Sequence, residues 1–145
     1  MKAKEHNKLA GIFLLVHGGL NLFILLLVGL MYGGIGFFLV NSRKEDEQIG
    51  GAIFLGLALL VLFIGSIFAG IQLIAGWKML KEKSNARTWG IVANVIAVLS
   101  FPIGTAVGIH GLWFLFNDLG KTFYLQNDAN RNFLQPPPSP NSWQQ

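Results

Sequence analysis

Five side chains able to hydrogen-bond or take up a proton interrupt otherwise apolar sequence: His17, Asn21, Gln72, Asn94 and His110. Measured along a helix from the nearest flanking charge, His17 stands roughly 13 Å in, Gln72 roughly 9 Å, Asn94 roughly 10 Å and His110 roughly 12 Å. Asn21 follows His17 by four residues, on the same helix face and deeper. The expectation is one polar layer to which four helices each contribute a side chain. Such a layer admits three kinds of chemistry. Neutral side chains can hydrogen-bond between helices, each bond contributing about 0.6–2 kcal/mol and fixing helix order. Histidines can relay protons or line an ion path, as in a small channel or transporter. Two histidines on different helices can ligate a b-type haem axially, here His17 and His110, in an electron-transfer subunit. The first reading needs no charged group and is the one expected, because the apolar blocks hold no Asp, Glu, Lys or Arg.

Other chemistry lacks its parts. There is no cysteine, the third histidine, His6, precedes the apolar sequence, and no carboxylate lies within it, so no metal site is expected beyond the haem alternative. No GxSxG elbow, HExxH or Walker loop is present. The expected role is non-enzymatic, with no cofactor.

The elements that position these residues follow from composition. The 145 residues are 52% hydrophobic and 12% charged, against about 25% charged in soluble domains. Residues 9–40 and 49–77 hold no formal charge, and a third apolar region covers 88–117 around Pro102 and Gly104. A span needs roughly 20 apolar residues. The apolar run that follows MKAKEHNK is too long for the h-region of a signal peptide, so it is expected to be an uncleaved first span. Region 88–117, as one helix, would reach ~45 Å, too long for one ordinary crossing, so a turn is expected at SFPIGT.

The fold expected is therefore all-α: a polytopic membrane protein with four transmembrane helices in two hairpins. Residues 1–8 form an N-terminal tail, 9–80 a long first hairpin, 81–87 a basic connector, 88–120 a shorter second hairpin, and 121–145 a proline-rich tail. Lysine and arginine set the orientation. Lys2, Lys4, Lys8, Lys78, Lys81, Lys83, Arg87, Lys121 and Arg131 fall on one side, and only Arg43 and Lys44 on the other. Both termini and the connector are thus expected in the cytoplasm. This topology also accounts for the net charge of +4 with no nucleic-acid partner. For the long first hairpin, the sequence leaves open strong tilt, projection beyond the membrane, or a break at YGGIGFF (32–38).

Eighteen glycines are many for this length. In lipid, small residues every fourth position let helix backbones approach. Gly104, Gly108 and Gly111 share one face, as do Gly29 and Gly33, and the pairs Ala52/Gly56 and Ser66/Gly70 repeat the spacing. These faces are expected to pack a neighbouring helix, within the chain or in another subunit. The expected partners are membrane lipids and other membrane-protein subunits, or a second copy. QPPPSPNSWQQ (135–145) carries a formal PxxP and is expected to be extended.

The stretch ARTWGIVANVIAVLSFPIGTAVGIHGLWFLFND (86–118) resembles the C-terminal half of a group of small uncharacterised bacterial four-helix integral membrane proteins that share an FPIGTxxGIxGLW hairpin. The resemblance covers about a quarter of the chain, with the shared motif on residues 101–115. It implies an accessory or structural protein of the bacterial inner (cytoplasmic) membrane with no assigned reaction. Where those proteins carry tyrosine, this chain has His110. Tyrosine replaces a hydrogen-bonding histidine more readily than a haem ligand or proton carrier.

Overall fold

The computed structural model describes residues 2–134, which form five helices and no strand. The proline-rich segment 135–145 and its PxxP lie outside the described residues.

Helix α1, Ala3–Val40, has 38 residues and α2, Glu45–Leu80, has 36, so each is ~55 Å long. They pack antiparallel. Gly11 meets Gly76, Gly18 meets Gln72, and Gly65 meets Leu25; further along, Gly29 meets Leu62 and Gly36 meets Leu55. YGGIGFF does not break α1. In the turn between the helices, Asn41 Nδ2 donates to the Phe37 carbonyl at 2.8 Å. Glu45, Asp46 and Glu47 open α2 and Lys78 sits in its last turn, each matching the sign of the helix dipole.

Glu82 ends α2 with a left-handed φ of 49°. Its N–H donates to Met79 O and that of Lys83 to Lys78 O, the Schellman arrangement more often built on glycine. Helix α3, Ala86–Val98, and α4, Ile103–Phe116, have 13 and 14 residues. The hairpin predicted at SFPIGT is present, and Pro102 immediately precedes α4, after a cis Phe101–Pro102 bond. Each short helix is only ~20 Å long and falls short of a ~30 Å hydrocarbon core. Four full spans are therefore more than these helix lengths provide.

Asn117 interrupts the chain with extended backbone, and its side-chain oxygen accepts from the Asp118 N–H at 2.7 Å. Helix α5, Asp118–Leu134, follows. Residues 121–134, expected as tail, are helical. The reason is an apolar stripe containing Phe123 and Tyr124 that packs on the core.

The buried core is confined to the half of the long hairpin that holds the termini. Ala10, Leu14, Met79, Ala93, Ala97, Phe114 and Leu115 fill it. The distal half is a bare helix pair whose Leu30, Phe38 and Phe63 are 67, 80 and 68% exposed. Both long helices are long and apolar enough to cross a membrane, and only 6% of each apolar window is buried. A soluble protein's core helix would be mostly covered. Exposed apolar area of this extent needs a non-aqueous neighbour.

Candidate functional site

Midway along the hairpin, α1 and α2 bring three of the predicted polar residues together. His17 and Gln72 are both buried, and His17 Nδ1 lies 2.9 Å from Gln72 Oε1. Asn21 Nδ2 lies 3.3 Å from the same ring nitrogen and 3.4 Å from Gln72 Oε1. With Gln72 Oε1 accepting, His17 Nδ1 is the donor of that bond. Asn21 then donates to Gln72 Oε1, not to the protonated ring nitrogen. His17 Nε2 stands 2.7 Å from where a Cβ would sit on Gly104. Glycine at 104 thus makes room for the imidazole at the start of α4.

Asn94 and His110 do not join this cluster. Asn94 is fully buried and donates from Nδ2 to the Gly90 carbonyl of its own helix at 2.7 Å. Its Oδ1 has no hydrogen-bond partner among the described residues. That oxygen occupies the space a Cβ on Gly111 would need, so the glycine Cα–H takes that direction toward it, a weak C–H···O contact. His110 packs instead on His6 and Phe13, with ring centroids 6.1 and 6.0 Å away. Gly104, the neighbour of His17, lies six residues before His110 on α4, ~9 Å along the axis.

The single polar layer is therefore split into two levels. Counting depth from Lys8 on α1 and from Asp118 on α4 treats these residues as marking one plane. In the structure the end of α4 lies beside His6, and the two counts start at different heights. The structure thus gives His17 and His110 different immediate neighbours: Gln72, Asn21 and Gly104 for the first, His6 and Phe13 for the second.

A second polar group sits nearer the termini, built from residues that the sequence places in tails. Asn7 Nδ2 donates to the Met79 carbonyl at 2.7 Å, and Tyr124 Oη donates to Asn7 Oδ1. Both side chains are buried. Burial holds the Tyr124 phenol well above its ordinary pKa, the Glu82 carboxylate adds to this, and Arg87 partly opposes it. Beside them, His6 stacks on Phe114 and meets Trp113 edge-on. Depth from flanking charge hides Asn7, since Lys8 follows it directly. The apolar spacing of 118–134 is the available signal for Tyr124.

The glycine faces also divide. Gly104, Gly108 and Gly111 press on Ala97, Asn94 and Val98 of α3, and Gly29 on Leu62 of α2. These are contacts within the chain. A Cβ placed on Gly33 would have no atom within 4 Å, so within the chain only Gly29 of this pair is packed. Gly56 and Gly70 are likewise open.

Among the described residues no three His, Cys, Asp or Glu side chains gather as metal ligands. The groups assembled in the interior are amides, imidazoles and a phenol; His17, Asn21 and Gln72 share one set of hydrogen bonds, and Asn7 and Tyr124 another. Comparison with protein-family models, curated proteins and solved structures gives no match.

Proposed function

We propose that this protein is a non-enzymatic subunit of a membrane assembly, formed with itself or with another membrane protein through the outer face of α2. The supporting observation is that face. Ala52, Gly56, Ser66 and Gly70 lie within roughly 80° of arc at 100° per residue. Ala52, Gly56 and Ser66 are exposed, and neither Gly56 nor Gly70 has an atom within 4 Å of its Cβ position. Small residues in that pattern admit a second helix backbone, and a serine in hydrocarbon gains a partner across the contact.

In this reading α1 and α2 cross the bacterial inner membrane, with both ends and the 81–87 connector in the cytoplasm. The nine-to-two distribution of basic residues supports that orientation. The short α3–α4 hairpin enters from the same side and turns back near mid-membrane. Its apolar tip residues Leu99 and Phe101 are 79 and 86% exposed, which suits a tip surrounded by lipid.

Native mass spectrometry of gently solubilised membranes tests the assembly. A species larger than the monomer is expected, lost in the Gly56→Leu/Gly70→Leu double variant. A lone monomer from wild-type membranes would overturn the proposal. Because the chain has no cysteine, Lys83→Cys and Ser42→Cys report sidedness on a clean background. Maleimide should reach them from opposite faces.

A further inference from the structure

At the level where α3 turns into α4, the long hairpin opens into a cleft of about 440 Å³. Asn21, Gln72 and Ser100 bring polar atoms to it from α1, α2 and the short hairpin's turn, and the rest of the lining is apolar. Leu25, Val28 and Val61 line this cleft and also a second one of about 330 Å³. The second continues toward the distal end as far as Tyr32 and Phe54, whose rings stack at 5.3 Å. Together they form one groove, ~17 Å long from Asn21 to Tyr32 along α1.

The polar end has hydrogen-bonding capacity left over. Gln72 Oε1 is taken by His17 and Asn21. Gln72 Nε2, Asn21 Oδ1 and Ser100 Oγ make no hydrogen bond among the described residues; Asn21 and Ser100 are half-buried, and the buried Gln72 borders the cleft. No charged side chain lines either cleft. An anionic or phosphate-bearing head would therefore be desolvated there without a counter-charge, at a heavy penalty. A neutral head with a carbonyl or hydroxyl instead meets both donors and an acceptor.

We propose that this groove binds a neutral, lipid-soluble molecule, with its carbonyl or hydroxyl head on Asn21, Gln72 and Ser100 and its hydrocarbon chain along Leu25, Val28 and Val61. The site is independent of the assembly face. Val61, Gly65 and Gln72 point to the side of α2 roughly opposite Gly56 and Gly70, at 100° per residue.

Two photoreactive probes test the proposal on the full-length protein in liposomes: a diazirine-bearing long-chain alcohol and a diazirine-bearing phosphatidylglycerol. The alcohol is expected to label residues 21–28 and 61–72, and unlabelled alcohol should compete. Asn21→Leu is expected to lower that labelling about five- to tenfold, the effect of one lost hydrogen bond. Ser100→Ala, outside the His17 cluster, should weaken it in the same direction and keeps the test valid if Asn21→Leu fails to fold. Equal labelling of the groove by the charged probe would overturn the proposal. So would labelling spread over Leu30, Phe38 and Phe63 and unchanged in a folded variant.

Discussion

The terminal half of the molecule, where α3 and α4 pack on the α1–α2 hairpin, and the distal half, where the hairpin stands alone, differ in how their glycines are used. In the half holding the termini, several glycines meet backbone: Gly11 and Gly76 face each other across α1 and α2, and Gly104 and Gly108 of α4 meet carbonyls of α3. A Cβ on Gly108 would stand 2.5 Å from the Asn94 carbonyl oxygen and one on Gly76 2.7 Å from that of Gly11, while one on Gly104 would collide with that of Ala97. In the distal half, Gly29, Gly36 and Gly65 are nearest to leucine side chains, and Gly33, Gly34, Gly50 and Gly56 meet nothing. Gly51, at the turn, presses on the backbone of Leu39 and Val40, and Gly36 also comes near the Leu55 backbone nitrogen. Polar side chains follow the same division: Asn7, His17, Gln72 and Asn94 are all buried in the terminal half. One half is a fixed bundle with a specified interior. The other is a helix pair whose outward surface is left for its surroundings.

The largest effect expected from breaking this contrast is at Gly108. Gly108→Ala forces a carbonyl and the backbone of Val98 to move, and about 2–3 kcal/mol of stability should be lost, read by thermal unfolding in detergent. Tyr124→Phe comes next. It leaves Asn7 Oδ1 buried without its donor, for a loss of about 1–3 kcal/mol.

Tyr124 also gives the comparison a pH signature. The folded state holds its phenol neutral above the ordinary value of 10.0, so the folded protein keeps a proton that the unfolded chain releases. The stability this contributes is complete below that value and declines as pH rises above it. Hydrogen exchange in α5 should accelerate through this alkaline range in the wild type. The Tyr124→Phe variant should lack that component.

Gly29→Ala meets only the movable end of Leu62 and should lose about 1 kcal/mol or less. Smallest of all, Gly33→Ala has open space around it and should be neutral or gain up to about 1 kcal/mol, since alanine favours helix over glycine. A Gly33→Ala loss as large as that of Gly108→Ala would mean the distal half is not bare.

Much of this arrangement is legible in the sequence because it depends on length and apolar runs. The long hairpin, the turn at SFPIGT, and the use of Gly104, Gly108 and Gly111 against a neighbouring helix follow from local pattern. His17, Asn21 and Gln72 meet because two of them share a helix face and the third lies opposite across a long antiparallel pair. His110 does not join them, because its height depends on how α4 is offset from α1, which no residue count on one helix reveals. Asn7 and Tyr124 pair across 117 positions. That contact exists only because Asn117 redirects the chain into α5, and flanking charges make both residues look like tail.

The stepped outline has a mechanical consequence. With α3 and α4 ending near the midpoint of α1 and α2, the molecule is broader toward its termini than at the 41–44 turn. Seated in a bilayer in the orientation proposed, it displaces more lipid from the inner leaflet than from the outer. Such a wedge lowers its own energy where the membrane bends to accommodate it, so its position along a curved envelope would follow from shape alone.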